Sequence, residues 1–297
     1  MYNSNIVRET SSEIRALARR ALKGNWSKVF IGIFLFYLLM NTVPSVIDAA
    51  FSFGQQSVDL VSMLSEKTPE EIMTAYENGE FNVSTGISSL YSLALSGAFS
   101  AGLCSFLLAF FRKGDIKPGY VFNGFEYYLK TLALMLLIGL FTFLWTLLFI
   151  IPGIIAAFRY SQAFYVLADD PSKGVIECLD ESKRIMTGNK MKLFIFNLSY
   201  IGWYIAAGIC SGIISTVLAL ISAAFINSFV LVFIDLVSAL PLLVAMVYVQ
   251  TGCTAFYELA SENLVARSSQ PQPIQVDDFI EVPAEENKKA PDENNEQ

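Results

Sequence analysis

Residues 131–168 read TLALMLLIGLFTFLWTLLFIIPGIIAAFRYSQAFYVLA, a run of 38 residues in which the only charged side chain is Arg159. An apolar run of about 18 residues or more is typical of a transmembrane helix. The run divides at Pro152-Gly153 into two candidate spans, Thr131–Ile151 and Ile154–Ala168. This stretch therefore predicts a helical membrane protein.

The composition of the whole chain supports the same fold class. It is 54% hydrophobic and 16% charged, whereas soluble domains have about 25% charged residues. We predict an all-α membrane protein with about six transmembrane helices, two interfacial amphipathic helices and a disordered C-terminal tail. The candidate spans are Val29–Ala50, Ile87–Phe111, Thr131–Ile151, Ile154–Ala168, Leu193–Ile214 and Phe229–Cys253. The fourth is short, and it is either a tilted span or a re-entrant helix.

The distribution of lysine and arginine predicts the orientation. Eighteen of the 20 basic residues lie before the first span, in the loops after the second and fourth spans, or in the tail. We expect a multi-pass protein of the cell membrane. Because basic residues are enriched in cytoplasmic segments, we expect both termini to lie in the cytoplasm. A re-entrant fourth segment would move five basic residues at 173–192 outside, so the count favours a crossing.

We divide the chain into three regions. Residues 1–28 form a basic amphipathic helix on the cytoplasmic side, and residues 29–256 form the membrane domain. This domain includes an outer loop at about 53–86 and an inner interfacial helix at about 170–188. Residues 257–297 form an acidic tail that buries too little apolar surface to offset its ordering entropy, so it is expected to be disordered.

The N-terminal region has the pattern of a helix that lies on a membrane. Thr10 and Glu13 have the spacing of a capping box. One apolar face follows at helical spacing, and it comprises Ile14, Leu17, Ala18, Ala21 and Leu22. The basic residues are candidate lipid-surface contacts, because anionic headgroups attract them: Arg15, Arg19, Arg20 and Lys23. The alternative is that they serve only as a topology signal.

The second interfacial helix, at about 170–188, carries a group of acidic residues. Asp170 is a candidate N-cap, and Pro171 fits the first helical position. The acids are Asp169, Asp170, Glu177, Asp180 and Glu181. They could bind a divalent cation or act as acid and base. Alternatively, they complement the helix dipole and form ion pairs along the helix.

Three ionisable residues lie within the candidate spans: Asp48, Arg159 and Asp235. Such residues are costly in hydrocarbon and are functional candidates. Arg159 and Asp235 form a candidate intramembrane polar pair. The pair could couple transport to an ion or proton, or it could hold two helices together.

A further short helix is expected in the outer loop, where Thr68 and Glu71 have capping-box spacing.

Several classes of site are missing from the sequence. The chain has no histidine, its four cysteines form no CxxC pair, and it contains no Gly-rich phosphate loop, nucleophile elbow or HExxH motif. We therefore predict no catalytic residue, no cofactor, no metal site and no nucleic-acid partner.

A series of residues resembles a bacterial membrane family called domain of unknown function 975. The family-motif residues in this chain are Pro152, Gly153, Tyr160, Ser161, Asp169, Pro171, Ser182, Gly188, Gly202 and Trp203. The resemblance spans about residues 8–260, and it also includes the segment from Ile14-Arg15 to Trp26 and the late Ala255-Phe256-Tyr257. It implies a multi-pass protein of bacteria that are mostly Gram-positive, and it implies no particular activity.

We predict a non-catalytic accessory or scaffold protein of the bacterial cytoplasmic membrane. Its expected partners are membrane lipids with anionic headgroups and a membrane protein. The alternative is a transporter or exporter of peptides or lipids. A lipid-active membrane enzyme that uses the carboxylates at 169–181 is a third hypothesis.

Overall fold

The computed structural model describes residues 6–51, 83–114, 117–222 and 227–262. These residues are helical apart from short connections, and no strand occurs among them. The α-helices are α1 (Ser11–Leu22), α2 (Trp26–Tyr37), α3 (Val83–Lys113), α4 (Tyr128–Leu148), α5 (Ile150–Tyr160), α6 (Ala163–Asp169), α7 (Val175–Ile185), α8 (Lys190–Leu198), α9 (Ile201–Ile221), α10 (Ser228–Ser238) and α11 (Leu240–Ala260). A π-helical segment, Leu38–Thr42, extends α2, and a 3₁₀ segment, Pro118–Phe125, precedes α4.

Six helical stretches of the described chain are long and apolar enough to cross a membrane. They are Trp26–Phe51, Ile87–Lys113, Tyr128–Leu148, Ile150–Asp169, Lys190–Ile221 and Leu240–Ala260. The predicted fold class, an all-α membrane protein with about six such helices, is confirmed. The predicted helix within the outer loop, and most of the predicted tail, lie outside the described residues.

The last helix differs from its predicted bounds. The run predicted as Phe229–Cys253 is two helices, α10 and α11, which meet at Ala239, two residues before Pro241. Helix α11 continues to Ala260, and Phe256, Tyr257 and Glu258 are buried. The tail therefore begins after residue 260 and not at 257, because apolar residues continue at helical spacing and the protein interior covers them.

Helix α1 has the predicted capping box. The Thr10 hydroxyl accepts a hydrogen bond from the backbone N–H of Glu13 at 3.3 Å, and the Glu13 carboxylate accepts one from the N–H of Thr10 at 2.6 Å. The apolar face differs from the prediction, because Ile14, Ala18 and Leu22 are fully buried where α1 packs against α11. This face therefore joins the helical bundle and is not free to lie on a membrane.

Helix α7 begins at Val175, four residues after the predicted first position Pro171, and its N-cap is Gly174 and not Asp170. The Glu177 carboxylate accepts a hydrogen bond from the N–H of Gly174 at 2.7 Å and so caps the first turn. Residues 171–173 are non-helical, and the Lys130 ammonium donates to the carbonyl oxygens of Pro171 at 2.6 Å and Lys173 at 3.2 Å. Those carbonyls are therefore satisfied from outside the helix.

The best-packed part of the bundle is formed by the second half of α3, the 3₁₀ segment, α6 and α11. Gly102 and Gly124 allow the 3₁₀ segment to run against α3 at backbone distance. A Cβ atom on Gly102 would overlap the carbonyl oxygen of Val121, and one on Gly124 would overlap that of Ala98. By contrast, α9 and the α4–α5 connection expose large apolar side chains.

Candidate functional site: an ion cluster between three helices

Charged side chains from three helices meet at one end of the bundle. Arg112 lies in the last turn of α3, Asp169 ends α6, and Glu258 lies in the last turn of α11. We refer to Arg112, Asp169 and Glu258 as the ion cluster. Each residue lies at or near the C-terminal end of a long apolar stretch, and these three helix ends meet at one end of the bundle.

Arg112 is bonded to both carboxylates. Its Nε donates to Glu258 Oε1 at 2.6 Å, its Nη2 donates to Asp169 Oδ2 at 3.0 Å, and its Nη1 donates to Asp169 Oδ1. The contact with Asp169 is therefore bidentate, a geometry that strengthens an arginine–carboxylate pair. The Glu258 side chain is fully buried, whereas the Arg112 side chain is 19% exposed. The desolvation of Glu258 is thus offset by a direct charge partner.

A series of contacts between hydroxyl-bearing side chains extends from the ion cluster into the bundle. The Tyr257 hydroxyl donates to Asp169 Oδ2 at 3.0 Å, and the Tyr257 ring stacks on Tyr165 with the ring centres 5.1 Å apart. The Tyr165 hydroxyl lies 3.2 Å from the hydroxyl of Thr254. These bonds therefore join the ends of α3, α6 and α11.

The structure does not bring Arg159 and Asp235 together as the predicted pair. No ion pair joins them, and Asp235 instead accepts a hydrogen bond from the Tyr37 hydroxyl at 3.3 Å. Asp235 is exposed on α10, which packs mainly against α9, whereas Arg159 lies on α5, which packs mainly against α4. The two helices have different neighbours, and sequence patterns do not specify which helices are neighbours.

The acidic residues at 169–181 do not converge on one site. Asp169 bonds Arg112, Asp180 pairs with Lys183 at 2.7 Å, and Glu181 pairs with Arg184. Asp170 accepts hydrogen bonds from the hydroxyl and the N–H of Ser172, and these bonds hold the pKa of the Asp170 carboxyl below its usual range. Within the described ranges, no group of three or more acidic or cysteine side chains could hold a metal ion.

The four candidate lipid contacts divide into two pairs. The Arg15 guanidinium donates to the carbonyl oxygen of Ser199 at 3.3 Å, and that of Arg19 donates to the Tyr248 hydroxyl at 2.8 Å. Arg19, Arg20 and Lys23 are exposed. Arg15 and Arg19 thus help to attach α1 to the bundle, and lipid contact by the four basic residues stays a prediction.

Several family-motif residues shape the α4–α5–α6 region. Pro152 lies in the first turn of α5, and a Cβ on Gly153 would overlap the Thr146 side chain, so glycine allows α5 to approach α4 closely. Tyr160 is buried and stacks on Phe141. The Ser161 hydroxyl donates to the carbonyl oxygen of Phe158 at 2.9 Å.

The remaining motif residues connect or end helices. The buried Ser182 hydroxyl donates to the carbonyl oxygen of Arg159 at 2.9 Å and accepts from the N–H of Gln162 at 3.3 Å, which joins α7 to the α5–α6 junction. Gly188 has a φ of +83°, a left-handed conformation that favours glycine. Gly202 borders open space, and Trp203 is exposed with its ring 6.0 Å from that of Tyr248. Asp169 and Pro171 are described above.

A cavity of about 450 Å³ opens between α3, α4 and the continuation of α2. Four serine hydroxyls line it together with three apolar side chains; the lining residues are Ser88, Ser89, Ser92, Ser96, Pro44, Leu93 and Met135. On the same helix, the Tyr91 hydroxyl donates to the carbonyl oxygen of Leu39 in the π-helical segment at 2.7 Å. The cavity is open to the surface, the larger part of its exposed lining is apolar, and no charged residue lines it.

Two residues of the ion cluster were not singled out by sequence analysis. The sequence predicts Arg112 only as one of the basic residues that indicate the topology, and it predicts Glu258 in the tail. The signal for Glu258 was the apolar periodicity through Phe256, Tyr257 and Ala260, which extends α11 past the point where hydropathy falls.

Comparison with known proteins gives one match. A family model described as "Protein of unknown function (DUF975)" matches residues 1–156 and 147–263. The two matched segments together include every described helix and all three residues of the ion cluster. No curated protein and no solved structure matches the chain.

Proposed function

The chain belongs to the DUF975 family of membrane proteins, and on this premise we propose that it is a non-catalytic accessory or scaffold protein of the bacterial cytoplasmic membrane. In this role it acts through contacts with lipids and with a membrane protein. The family supplies no activity, so the proposal depends on the surfaces and side chains of this chain.

The observation that carries the proposal is the exposed face of α9. The helix packs mainly against α10 and α11, and apolar side chains at four-residue intervals remain exposed by 48–74% along its whole length: Ile201, Ile205, Ile209, Ile213, Val217 and Ile221. Gly208 and Gly212 border open space on the same helix. Small residues at four-residue spacing allow close approach of a second transmembrane helix, so this surface suits a membrane-protein partner.

The ion cluster supports the same proposal. Its guanidinium is already bonded to two carboxylates, and the acids of α7 are bonded to their own neighbours. These groups stabilise the arrangement of helices, which is what a scaffold requires. Anionic lipid remains the expected partner for the exposed Arg20 and Lys23.

Photo-crosslinking tests the proposed protein contact. A benzophenone side chain at Ile209 should give a discrete protein adduct in cells, and the same group at Leu147, which is equally apolar and 73% exposed on α4, should give lipid adducts only. Gly208→Leu should abolish the Ile209 adduct at an unchanged protein level. Identical lipid adducts from Ile209 and Leu147 would contradict the proposal.

The serine-lined cavity favours the second candidate, a transporter or exporter of peptides or lipids. A transporter must expose its cavity alternately to both sides of the membrane. Cysteines introduced at Ser92 and Ser96 should then react with an impermeant thiol reagent from either side, in intact cells and in inverted vesicles. The scaffold proposal expects reaction from one side at most.

A further inference from the structure

The connection between α4 and α5 is apolar throughout. Leu147, Leu148, Phe149, Ile150 and Ile151 are each exposed by 62–73%, and Phe149 alone separates the two helices. Turns that reach water are usually built from glycine, proline and polar residues. This turn instead presents a continuous apolar surface, which is stable when hydrocarbon covers it.

Helix α7 marks the position of the aqueous boundary near this hairpin. It carries the Asp180–Lys183 and Glu181–Arg184 ion pairs, whose side chains are exposed by 27–63%. Its opposite face contacts the base of α5, since Ser182 donates to the carbonyl oxygen of Arg159. Charged groups in hydrocarbon are costly, so the level of α7 and Arg159 lies in the headgroup region or in water.

The first half of α4 lies near α7. At one end, Lys130 donates to the carbonyl oxygens of Pro171 and Lys173, just before α7 begins. Eleven residues later, the Phe141 ring lies 5.9 Å from that of Tyr160, and the Lys183 ammonium lies 5.9 Å from the same Tyr160 ring. Two points on α4 are thus held near the charged segment, Lys130 directly and Phe141 through the Tyr160 ring.

The remaining part of the hairpin is too short to cross. From Arg159 to Ile150 the axial rise is about 14 Å, and from Phe141 to Leu148 it is about 11 Å, at about 1.5 Å per residue. The hydrocarbon core is about 30 Å thick. Helix α6 adds no length by the same reasoning, because it begins beyond Arg159, after Gln162, whose N–H donates to the Ser182 hydroxyl of α7 at 3.3 Å.

We infer that the α4–α5 hairpin enters the bilayer from the α7 side, reaches about its midplane and binds the acyl chains of a single leaflet. Arg159 stands at its base, where a long cationic side chain reaches the headgroups. The basic residues on both flanks stay on one side of the membrane whether the hairpin crosses or turns back, so the charge distribution is equally compatible with this arrangement. The inference is independent of the proposed scaffold function.

Depth measurement by electron paramagnetic resonance tests the inference. The full chain, with its four native cysteines changed to alanine, receives a spin label at Phe149→Cys and is reconstituted in phosphatidylcholine–phosphatidylglycerol vesicles. We expect high accessibility to oxygen and low accessibility to a nickel chelate at this position. The matched control is Ser222→Cys, which follows α9 at the opposite surface and should be accessible to the chelate. Equal nickel accessibility at the two positions would show that the hairpin crosses, and would overturn the inference.

A second variant avoids the cysteine substitutions. Phe149→Trp, in a chain whose three native tryptophans are phenylalanine, should be quenched most strongly by lipids brominated near the ends of their acyl chains. Stronger quenching by lipids brominated near the headgroup would contradict placement at the midplane. Ser222→Trp again provides the control, with the opposite preference expected.

Discussion

Arg112 forms charge-assisted bonds to two carboxylates. The loss of stability on changing a residue of the ion cluster therefore depends on which residue is changed. Glu258 is fully buried, so the loss of Arg112 leaves a carboxylate without its charge partner in the protein interior. Asp169 is partly exposed at 27% and can be solvated in the absence of the arginine. The two carboxylates should therefore respond differently.

Arg112→Met should lower the free energy of unfolding in detergent by about 3–5 kcal/mol, the usual effect of breaking a buried ion pair from one side. Changing Glu258 to leucine in the same chain should recover much of this loss. The matched control is Arg184→Met, whose pair with Glu181 is partly exposed and should contribute about 0–1 kcal/mol. Equal losses for the two arginine variants, measured by chemical denaturation, would mean that the cluster is not electrostatically buried.

The separation of Arg159 and Asp235 gives a second prediction. Arg159→Met and Asp235→Leu should have additive effects on stability, to within about 0.5 kcal/mol, because residues without shared partners act independently. Tyr37→Phe should instead be non-additive with Asp235→Leu, since the Tyr37 hydroxyl donates to that carboxylate. Rescue of either single variant by the Arg159–Asp235 double change would show a pair that the structure does not contain.

At the scale of elements, the start of α1 responds to pH through its capping box. Hydrogen bonds from the N–H and the hydroxyl of Thr10 lower the pKa of the Glu13 carboxyl below its value of 4.5 in the absence of these bonds. The ionised carboxylate therefore contributes stability above pH 4.5, and this contribution is lost as the pH falls through the folded-state pKa. Glu13→Ala should lower the melting temperature near neutral pH and have a smaller effect below pH 4. Glu9→Ala, outside the capping box, serves as the control, and a loss that does not change with pH would exclude this mechanism.

Packing of the 3₁₀ segment on α3 depends on glycine. Gly102→Ala would place a methyl group against the carbonyl oxygen of Val121, and overpacking of this kind typically costs about 1–3 kcal/mol or more. Gly208→Ala, where nothing lies within 4 Å of the added atom, should be neutral or stabilising because alanine favours the helix. The melting temperatures of the two variants in detergent provide the comparison. A tolerated Gly102→Ala would indicate that the 3₁₀ segment is not held at backbone distance.

Sequence patterns predicted the positions of the helices better than the contacts between them. Hydropathy located the six candidate spans, and the Thr10–Glu13 spacing identified the start of α1, because both are local properties. Helix α7 starts four residues after its predicted position, where the Lys130 ammonium binds the carbonyl oxygens of the residues before it. The ion cluster was not predicted, because Arg112 lies 57 residues from Asp169 and 146 from Glu258. No local pattern relates positions so far apart.

For the whole molecule, the distribution of basic residues predicts that both ends of the membrane domain face the cytoplasm. In a chain without its native cysteines, Ile6→Cys and Glu262→Cys should react with an impermeant thiol reagent only in inverted vesicles. Ser222→Cys should react in intact cells. Reaction of Ile6→Cys from outside the cell would reverse the orientation, and reaction of Ile6→Cys and Glu262→Cys from different sides would require an odd number of crossings.

The attachment of α1 to α11 has a consequence for biosynthesis. Arg19 is bonded to Tyr248, 229 residues further along the chain, and a ribosome that adds about 5–20 residues per second needs about 10–50 s to make that distance. During this interval the apolar face of Ile14, Ala18 and Leu22 has no α11 to cover it, so we expect this face to lie on the lipid surface in the nascent chain. A photo-crosslinker at Ile14 should therefore label lipid in chains stalled before residue 240 and label α11 in the finished protein. Labelling of lipid at both stages would show that α1 never leaves the membrane surface.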